Sequence, residues 1–213
     1  MEEIDAGVEP AAPVWAVFGD LMAGLFGAFV LILVGVLGVQ LDLASHLEAE
    51  TQKRRASEAR REALERALAG PLAAGRLTLD NGRIGISGSV LFPLNSDALE
   101  PEGRQLLRSL ARPLAAYLAG HGEILMVSGF TDDRPVRDGN RQFADNWELS
   151  AQRALTVTRA LIDDGLPAEA IFAAAFGAGQ PVASNAEADG RARNRRVEMA
   201  PVPRAARQPT TDG

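Results

Sequence analysis

The sequence predicts an α+β domain that follows a single N-terminal membrane-spanning helix and a helical linker. Three observations predict this fold class: an uncharged apolar run near the N-terminus, a charged helical stretch behind it, and a C-terminal part in which strand-like and helix-like patterns alternate. The predicted segments are an N-terminal stretch at 1–12, a transmembrane helix at 13–40, a helical linker at 41–70, the α+β domain at 71–200 and a disordered tail at 201–213.

Composition narrows the functional classes. The net charge is −6, whereas a nucleic-acid-binding domain needs a basic face, so no nucleic-acid partner is expected. The chain has no cysteine, which excludes disulfides, thiol nucleophiles and cysteine zinc sites. Asp132, Asp133 and Asp138 suggest a calcium loop, but Arg134 stands where a third oxygen ligand is required. Because the sequence also shows no nucleophile paired with a base and no phosphate loop, we expect no enzyme, no cofactor and no metal.

The apolar run predicts a retained membrane anchor. Nineteen residues, Leu21–Val39, carry no charge, and at about 1.5 Å of rise per residue such a helix crosses a hydrocarbon core of about 30 Å. A cleavable signal peptide begins with a basic stretch, but residues 1–13 contain neither Lys nor Arg. Ala23 and Gly27 are small residues four positions apart, a spacing that allows two helices to pack closely.

Asp20 lies at the start of this helix. An ionised carboxylate inside a membrane costs at least a few kcal/mol, so two interpretations arise. Asp20 either lies at the interface or caps a helix that starts later, or it faces a partner subunit as a protonatable site whose proton binding and release drive a conformational change. Orientation is a separate matter, because the nearest basic residues, Lys53 to Arg55, follow the helix and by the positive-inside rule favour an external N-terminus.

The C-terminal part follows the order β-α-β-α-β-β. The Asn81-Gly82 dipeptide is typical of a tight hairpin turn, and Asp145 with Glu148 three positions on is typical of a helix N-terminus. Two helices on one face of a sheet give an α+β sandwich. The predicted elements are a hairpin with arms at 76–79 and 83–92, helices from Pro101 to Leu118 and from Asp145 to Gly165, and strands at Ile124–Phe130, Ile171–Phe176 and Arg196–Met199.

Three ordered motifs resemble the OmpA-like peptidoglycan-binding domain. They are Gly129–Asp133 at a strand end, Asn146–Ser150 with Arg153 on the next helix, and Asn194–Glu198 near the end of the domain. The resemblance covers about Val90 to Met199, and the NWELS form of the second motif resembles the MotB branch of the family. The family usually has histidine at the position of Phe130, so a contact from that histidine is missing here.

The resemblance implies a ligand and a set of contacts. The ligand of this family is the diaminopimelate of the peptidoglycan stem peptide, a zwitterion with an ammonium and a carboxylate on one carbon. We therefore expect Asp132 to accept from the ammonium and Arg153 to bind the carboxylate; the alternative is that the two form a structural ion pair. The other implied contacts are Thr131, Asn146, Leu149 and Ser150, with Arg196 helping to hold the site.

The N-terminal half resembles stator B-subunits of the MotB type, because Trp15 precedes Asp20 by five residues at the start of a single spanning helix. This resemblance implies a bacterial inner-membrane protein with a cytoplasmic N-terminus, a periplasmic C-terminal domain and Asp20 as the carboxylate that takes up and releases the translocated ion. It also implies a homodimer inside a pentameric ring of a multi-span MotA-like or ZorA-like subunit. A peptidoglycan ligand outside the inner membrane outweighs the charge rule for orientation.

The predicted function is thus the peptidoglycan-anchored B-subunit of an ion-driven motor, either flagellar or of the Zorya anti-phage type. The alternative is a structural tether between the inner membrane and peptidoglycan. A tether needs Asp132 and Arg153 but tolerates the loss of the carboxylate at Asp20. The sequence leaves open whether a motor would carry protons or sodium ions.

Overall fold

The computed structural model describes residues 14–136 and 142–204, and it divides the chain into two compact units, up to Ser57 and from Glu58 onward. The predictions for residues 1–13, for Asp138 and for 205–213 lie outside the described residues. Helix α1 (Val14–Ala67) is 54 residues long. Its apolar part reaches a mean hydropathy of 2.6, so by length and composition this helix is able to cross a membrane.

The predicted transmembrane helix and linker form one helix without a break. The predicted stop at Gly70-Pro71 is displaced: α1 ends at Ala67, and both residues lie in the short helix α2 (Ala69–Ala73). Proline is tolerated in a first helical turn, where its missing N–H has no helical partner. Leu64 and Leu68 are 1% and 0% exposed within the core of the second unit, which therefore begins before the predicted boundary at 71.

Five strands form one sheet in the order β1-β2-β5-β3-β4. Strands β3 and β4 are parallel, and the other neighbours are antiparallel. Strand β5 lies between β2 and β3, so the last strand brings the hairpin and the later elements into one sheet. The strands are β1 (Thr78–Asp80), β2 (Arg83–Ser87), β3 (Glu123–Phe130), β4 (Ile171–Gly177) and β5 (Arg196–Pro203).

Two long helices, α4 (Pro101–His121) and α5 (Asn146–Asp163), contribute their apolar stripes to the core. Helix α4 begins with proline at its first position and is followed by Gly122, whose φ of 64° is the left-handed conformation that glycine adopts without strain. Helix α5 has the predicted cap: Asp145 Oδ1 accepts from the Glu148 N–H at 2.8 Å, and Glu148 Oε2 accepts from the Ala144 N–H at 2.7 Å.

The α+β fold class is confirmed, and so is the hairpin turn, in which Asn81 and Gly82 have φ of 50° and 77°. The extended run predicted through Phe92 is wrong, since 88–91 form the short helix α3 (Gly88–Leu91). Here the Gly88 N–H donates to Arg195 O at 2.8 Å, and an added Cβ on Gly88 would also lie 2.8 Å from that oxygen. At this close approach of the Gly88 and Arg195 backbones, the chain leaves the sheet and enters α3.

Two further differences concern the end of the domain. The tail predicted from Pro201 starts too early, because Pro201–Pro203 belong to β5 and pair with Leu125, Ile124 and Glu123 of β3. Helix α6 (Ala188–Asn194) was not predicted; its buried residues are Gly190 and Asn194, so it has no apolar stripe to detect. A 3₁₀ turn at Ala168–Ala170 precedes β4.

Candidate functional site

A cleft of about 150 Å³ lies where β3 ends, beside the first turns of α5. The Thr131 N–H donates to Gly177 O at 2.8 Å, which holds the ends of the parallel strands β3 and β4 together. Parallel strands commonly present their ligand-binding groups at this end. Of the residues predicted for the site, the cleft is lined by Thr131, Asp132, Asn146, Leu149 and Arg153, and they are joined by Leu94, Asn95, Arg134, Pro135 and Arg195.

Asp132 is 7% exposed, and its carboxylate is held from two directions. Oδ2 accepts from Arg195 Nη1 at 2.6 Å, and Oδ1 accepts from the backbone N–H of Arg134 at 3.3 Å. Asn146 Nδ2 donates to the carbonyl oxygens of Asp132 and Arg134, at 3.3 and 2.9 Å, so the first residue of α5 fixes the loop that carries the carboxylate. Asp132 is thus an oriented anion with acceptor capacity left on Oδ1.

Arg153 is 4% exposed and is held by backbone carbonyls rather than by an acid. Its Nε donates to Ser96 O at 2.9 Å, its Nη2 donates to Pro93 O at 3.4 Å, and its guanidinium carbon lies 5.2 Å from the centre of the Phe92 ring. Burial, reinforced by the positive charge of Arg195, lowers the pKa of Arg153 to about 10, so the side chain remains a cation at neutral pH. Its Nη1 makes no hydrogen bond within the described part of the chain.

The structural ion pair weighed for Asp132 and Arg153 is replaced by another pairing, because Arg195 is the ion-pair partner of Asp132. Arg195 was not singled out from the sequence, although it lies inside the third motif. Along an extended chain, neighbouring side chains point to opposite sides, so one of the two adjacent arginines faces the cleft and the other faces away. The sequence shows the two adjacent arginines, but only the contacts in the folded chain show that Arg195 is the one at the cleft.

Arg196, which was expected to help hold the site, does not itself line the cleft. Its guanidinium carbon lies 3.8 Å from the centre of the Phe130 ring, and its Nε donates to Glu198 Oε1 at 2.6 Å. Phe130 stacks in turn on Phe176 at 5.0 Å. Phe130, at the position where the resemblance leads one to expect histidine, therefore packs between Phe176 and the guanidinium of Arg196.

Ser150 is also structural rather than a cleft residue. Its side chain is fully buried, its hydroxyl donates to Trp147 O at 2.9 Å, and its Oγ accepts from the Gly177 N–H at 3.1 Å. Opposite this turn of α5, an added Cβ on Gly129 would overlap the carbonyl oxygen of Ser150. Gly129 therefore allows α5 to approach β3 closely enough to bring Arg153 to the cleft.

Thr131 contributes a polar group at the cleft that lacks a partner. The residue is 4% exposed, and its buried hydroxyl makes no hydrogen bond to any residue that the structure describes. Buried hydroxyls are usually satisfied, and the exceptions ask for an explanation such as a bound ligand or water. The site thus combines an oriented carboxylate, a buried cation with an open donor and a free hydroxyl.

Comparison with known proteins places this cleft in a family. The OmpA family model matches residues 91–195, a span that contains the first two motifs in full and the first two residues of the third. The solved cell wall anchor of the type VI secretion system from Pseudomonas aeruginosa is 33% identical with a TM-score of 0.55, and the match covers 64% of this chain and 94% of that one. The chain belongs to the OmpA/MotB-like family.

Other members of the OmpA/MotB-like family agree in fold and sequence. A solved MotB-like protein from Desulfovibrio vulgaris is 28% identical with a TM-score of 0.62, over 72% of this chain and 99% of that one. Motility protein B of Bacillus subtilis is 33% identical over 132 residues, which are 62% of this chain and 49% of that protein. The chain spans about half the length of the curated relatives it matches. None of these names describes an enzyme, in agreement with the sequence-based expectation.

Proposed function

We propose that this OmpA/MotB-like chain is the peptidoglycan-anchored B-subunit of an ion-driven motor in the bacterial inner membrane. In this proposal Asp132 and Arg153 bind the diaminopimelate of the wall, and Asp20 is the carboxylate that carries the ion. The observation that carries the proposal is the cleft: a buried guanidinium with an open donor stands next to a carboxylate that is already oriented. The apolar helix and the MotB-like relatives indicate a single-pass inner-membrane protein.

The chemistry of the cleft fits a zwitterionic ligand centre. Asp132 Oδ1 has one long backbone contact and can accept from an ammonium, while the open Nη1 of Arg153 can donate to a carboxylate. Arg153 has no acidic hydrogen-bond partner within the described residues, so a ligand carboxylate would stabilise a cation that burial now disfavours. Asn146 and Leu149 complete the wall of the cleft beside these groups.

Asp20 supports the motor part of the proposal. It lies in the first turns of α1, directly before the uncharged run, and its side chain is exposed on the isolated chain. A carboxylate at the head of a spanning helix is expected to face a partner or a water-filled path, because contact with lipid costs several kcal/mol. The partners in this proposal are a second copy of the chain and a multi-span MotA-like or ZorA-like subunit that forms a pentameric ring.

The proposed orientation has a cytoplasmic N-terminus and a periplasmic C-terminal domain, because the wall ligand lies outside the inner membrane. In the motor proposal, the torque that the ion flow generates serves flagellar rotation or anti-phage defence. A second candidate, the static tether, is favoured by one specific observation: the similarity to a solved cell wall anchor extends over 94% of that chain. Both candidate functions use the same wall-binding site, and they differ in whether Asp20 carries an ion.

The deciding experiment is ion flux into vesicles that contain the full chain and its genomically adjacent multi-span partner. Asp20→Asn is compared with wild type and with Asp42→Asn, a matched removal of a carboxylate farther along the same helix. The motor proposal expects flux that is lost with Asp20→Asn and kept with Asp42→Asn. Equal flux in all three proteins contradicts an ion-carrying role for Asp20.

Wall binding is measured on the same preparations by sedimentation with purified peptidoglycan. Arg153→Met is expected to abolish binding, whereas Arg159→Met, an exposed arginine on the same helix α5, serves as the control. Binding that depends on Arg153 without any flux in the wild type favours the tether. A wild-type chain that does not bind the wall at all contradicts both candidates.

A further inference from the structure

The cleft at Asp132 has a second lobe. A neighbouring cavity of about 90 Å³ is formed by α3, the loop that follows it and the same two arginines. Three residues, Leu94, Arg153 and Arg195, line both lobes, so the two cavities adjoin across their side chains. Ser89 also lines the second lobe, and its hydroxyl shares a hydrogen bond with the Ser87 hydroxyl at 2.9 Å.

The two lobes differ in charge. The first contains the carboxylate of Asp132 together with the guanidinium groups. Among the described residues, no acidic side chain lines the second lobe, whose charged groups are Arg153 and Arg195. A group bound in the first lobe therefore meets both signs of charge, whereas a group bound in the second meets cations and the Ser89 hydroxyl. The second lobe selects for an anion.

The two arginines have donors to spare for such an anion. A guanidinium has five N–H groups, and within the described chain Arg153 uses two of them on Ser96 O and Pro93 O, while Arg195 uses one on Asp132. Arg153 is 4% exposed, so solvent reaches few of its remaining donors. The carboxylates of Asp132 and Asp97 act on the charge of Arg153, but within the described residues neither accepts a hydrogen bond from it, so its spare N–H groups favour an anionic partner.

Leu94 adds an apolar contact between the charged groups. It is 74% exposed and lines both lobes, so its side chain is accessible to a ligand in either lobe. The adjacent Asn95 has a φ of 56°, a left-handed conformation that asparagine tolerates better than most residues. A ligand that extends from one lobe to the other passes Leu94 with whatever links its two charged ends.

We propose that the cleft recognises a stem peptide whose diaminopimelate has both carboxylates free. The ammonium and carboxylate of one end occupy the first lobe, the carboxylate of the other end occupies the second lobe, and the methylenes between them contact Leu94. This proposal rests on the proposed wall binding and deepens it. It predicts a preference for stems that end at diaminopimelate, because in longer stems the second carboxylate is converted to an amide.

The test is a matched pair of synthetic stem tripeptides that differ in one group. One has a free carboxylate at the stem-side carbon of its C-terminal diaminopimelate, and the other has a carboxamide of the same size there. Calorimetric titration of the full chain in detergent is expected to give a Kd about tenfold lower for the free acid, the effect of one charge-assisted hydrogen bond. Ser89→Glu, which adds a negative charge to the second lobe, is expected to remove this preference.

Ser109→Glu on α4 is the matched control, because Ser109 is exposed and lines neither lobe. It is expected to keep the tenfold preference. Equal affinity for the two peptides, with both bindings abolished by Arg153→Met, overturns the two-carboxylate inference and leaves the proposed wall binding intact. A preference that survives Ser89→Glu overturns the assignment to the second lobe. Failure of both peptides to bind contradicts the proposed wall binding itself.

Discussion

Replacement of Gly129 by alanine tests whether the approach of α5 to β3 builds the site. An added Cβ would overlap the Ser150 carbonyl oxygen and come within 2.9 Å of its carbonyl carbon. Because the obstacle is helix backbone, no rotamer change relieves it, and the strand and helix must separate. Overpacking costs typically 1–3 kcal/mol, so we expect a loss near the upper end, about 3 kcal/mol. For a domain of this size that lowers Tm by roughly 6–12 °C.

The assay is thermal unfolding of the full chain in detergent, followed by near-ultraviolet circular dichroism, together with sedimentation on peptidoglycan. Gly120→Ala in α4 is the control, because an added Cβ there meets nothing within 4 Å. Alanine favours a helix over glycine by up to about 1 kcal/mol, so the control is expected to be neutral or stabilising. Gly129→Ala should also weaken wall binding, since Arg153 and Asn146 move with α5. A Gly129→Ala protein with the Tm and wall binding of Gly120→Ala would refute the reasoning.

Three further predictions concern two arginines of the third motif and a buried tyrosine of α4. Arg195→Met should destabilise the domain by about 2 kcal/mol in urea denaturation and weaken peptidoglycan binding, because Asp132 loses the partner that orients it; unchanged binding would show that Asp132 needs no orientation. Arg196→Met should lower stability but leave the Kd for stem peptides within about twofold, since Arg196 covers Phe130 outside the cleft. Burial, followed by the charge of Glu123, raises the pKa of Tyr117 above 10.0. The neutral phenol is favoured in the folded state, so the stability that Tyr117 contributes is complete below pH 10 and is lost as the pH rises above 10. Tyr117→Phe should therefore lose less stability over this rise in pH, as measured by urea denaturation.

The sequence predicted the elements that have a strong periodic or capping signal. Helix α4 begins at Pro101 as predicted and extends three residues beyond the predicted end at Leu118. The hairpin at Asn81-Gly82 and the cap at Asp145 depend on local chemistry, which a sequence shows directly. Helix α6 was missed because it buries Gly190 and Asn194 rather than an apolar stripe.

The sequence predicted five of the residues that line the cleft, but it did not predict which groups hold them in place. Five predicted residues line the cleft, because the family motifs fix Asp132 and Arg153 on neighbouring elements. The partner of each is set by contacts between elements far apart in the chain. Arg153 is held by carbonyls of Ser96 and Pro93, and Asp132 is held by Arg195, contacts that no local pattern reports.

These pairings explain how the cleft remains ready for a ligand. A direct ion pair between Asp132 and Arg153 would neutralise the two groups that the proposed ligand needs. Instead Arg195 orients Asp132 from one side, and carbonyl oxygens orient Arg153 without neutralising it. The burial of Arg153 next to a second cation is unfavourable in the free protein, and an anionic ligand group would relieve it. In the proposed complex, part of the affinity therefore comes from relief of the desolvation of Arg153 and, second, of its repulsion by Arg195.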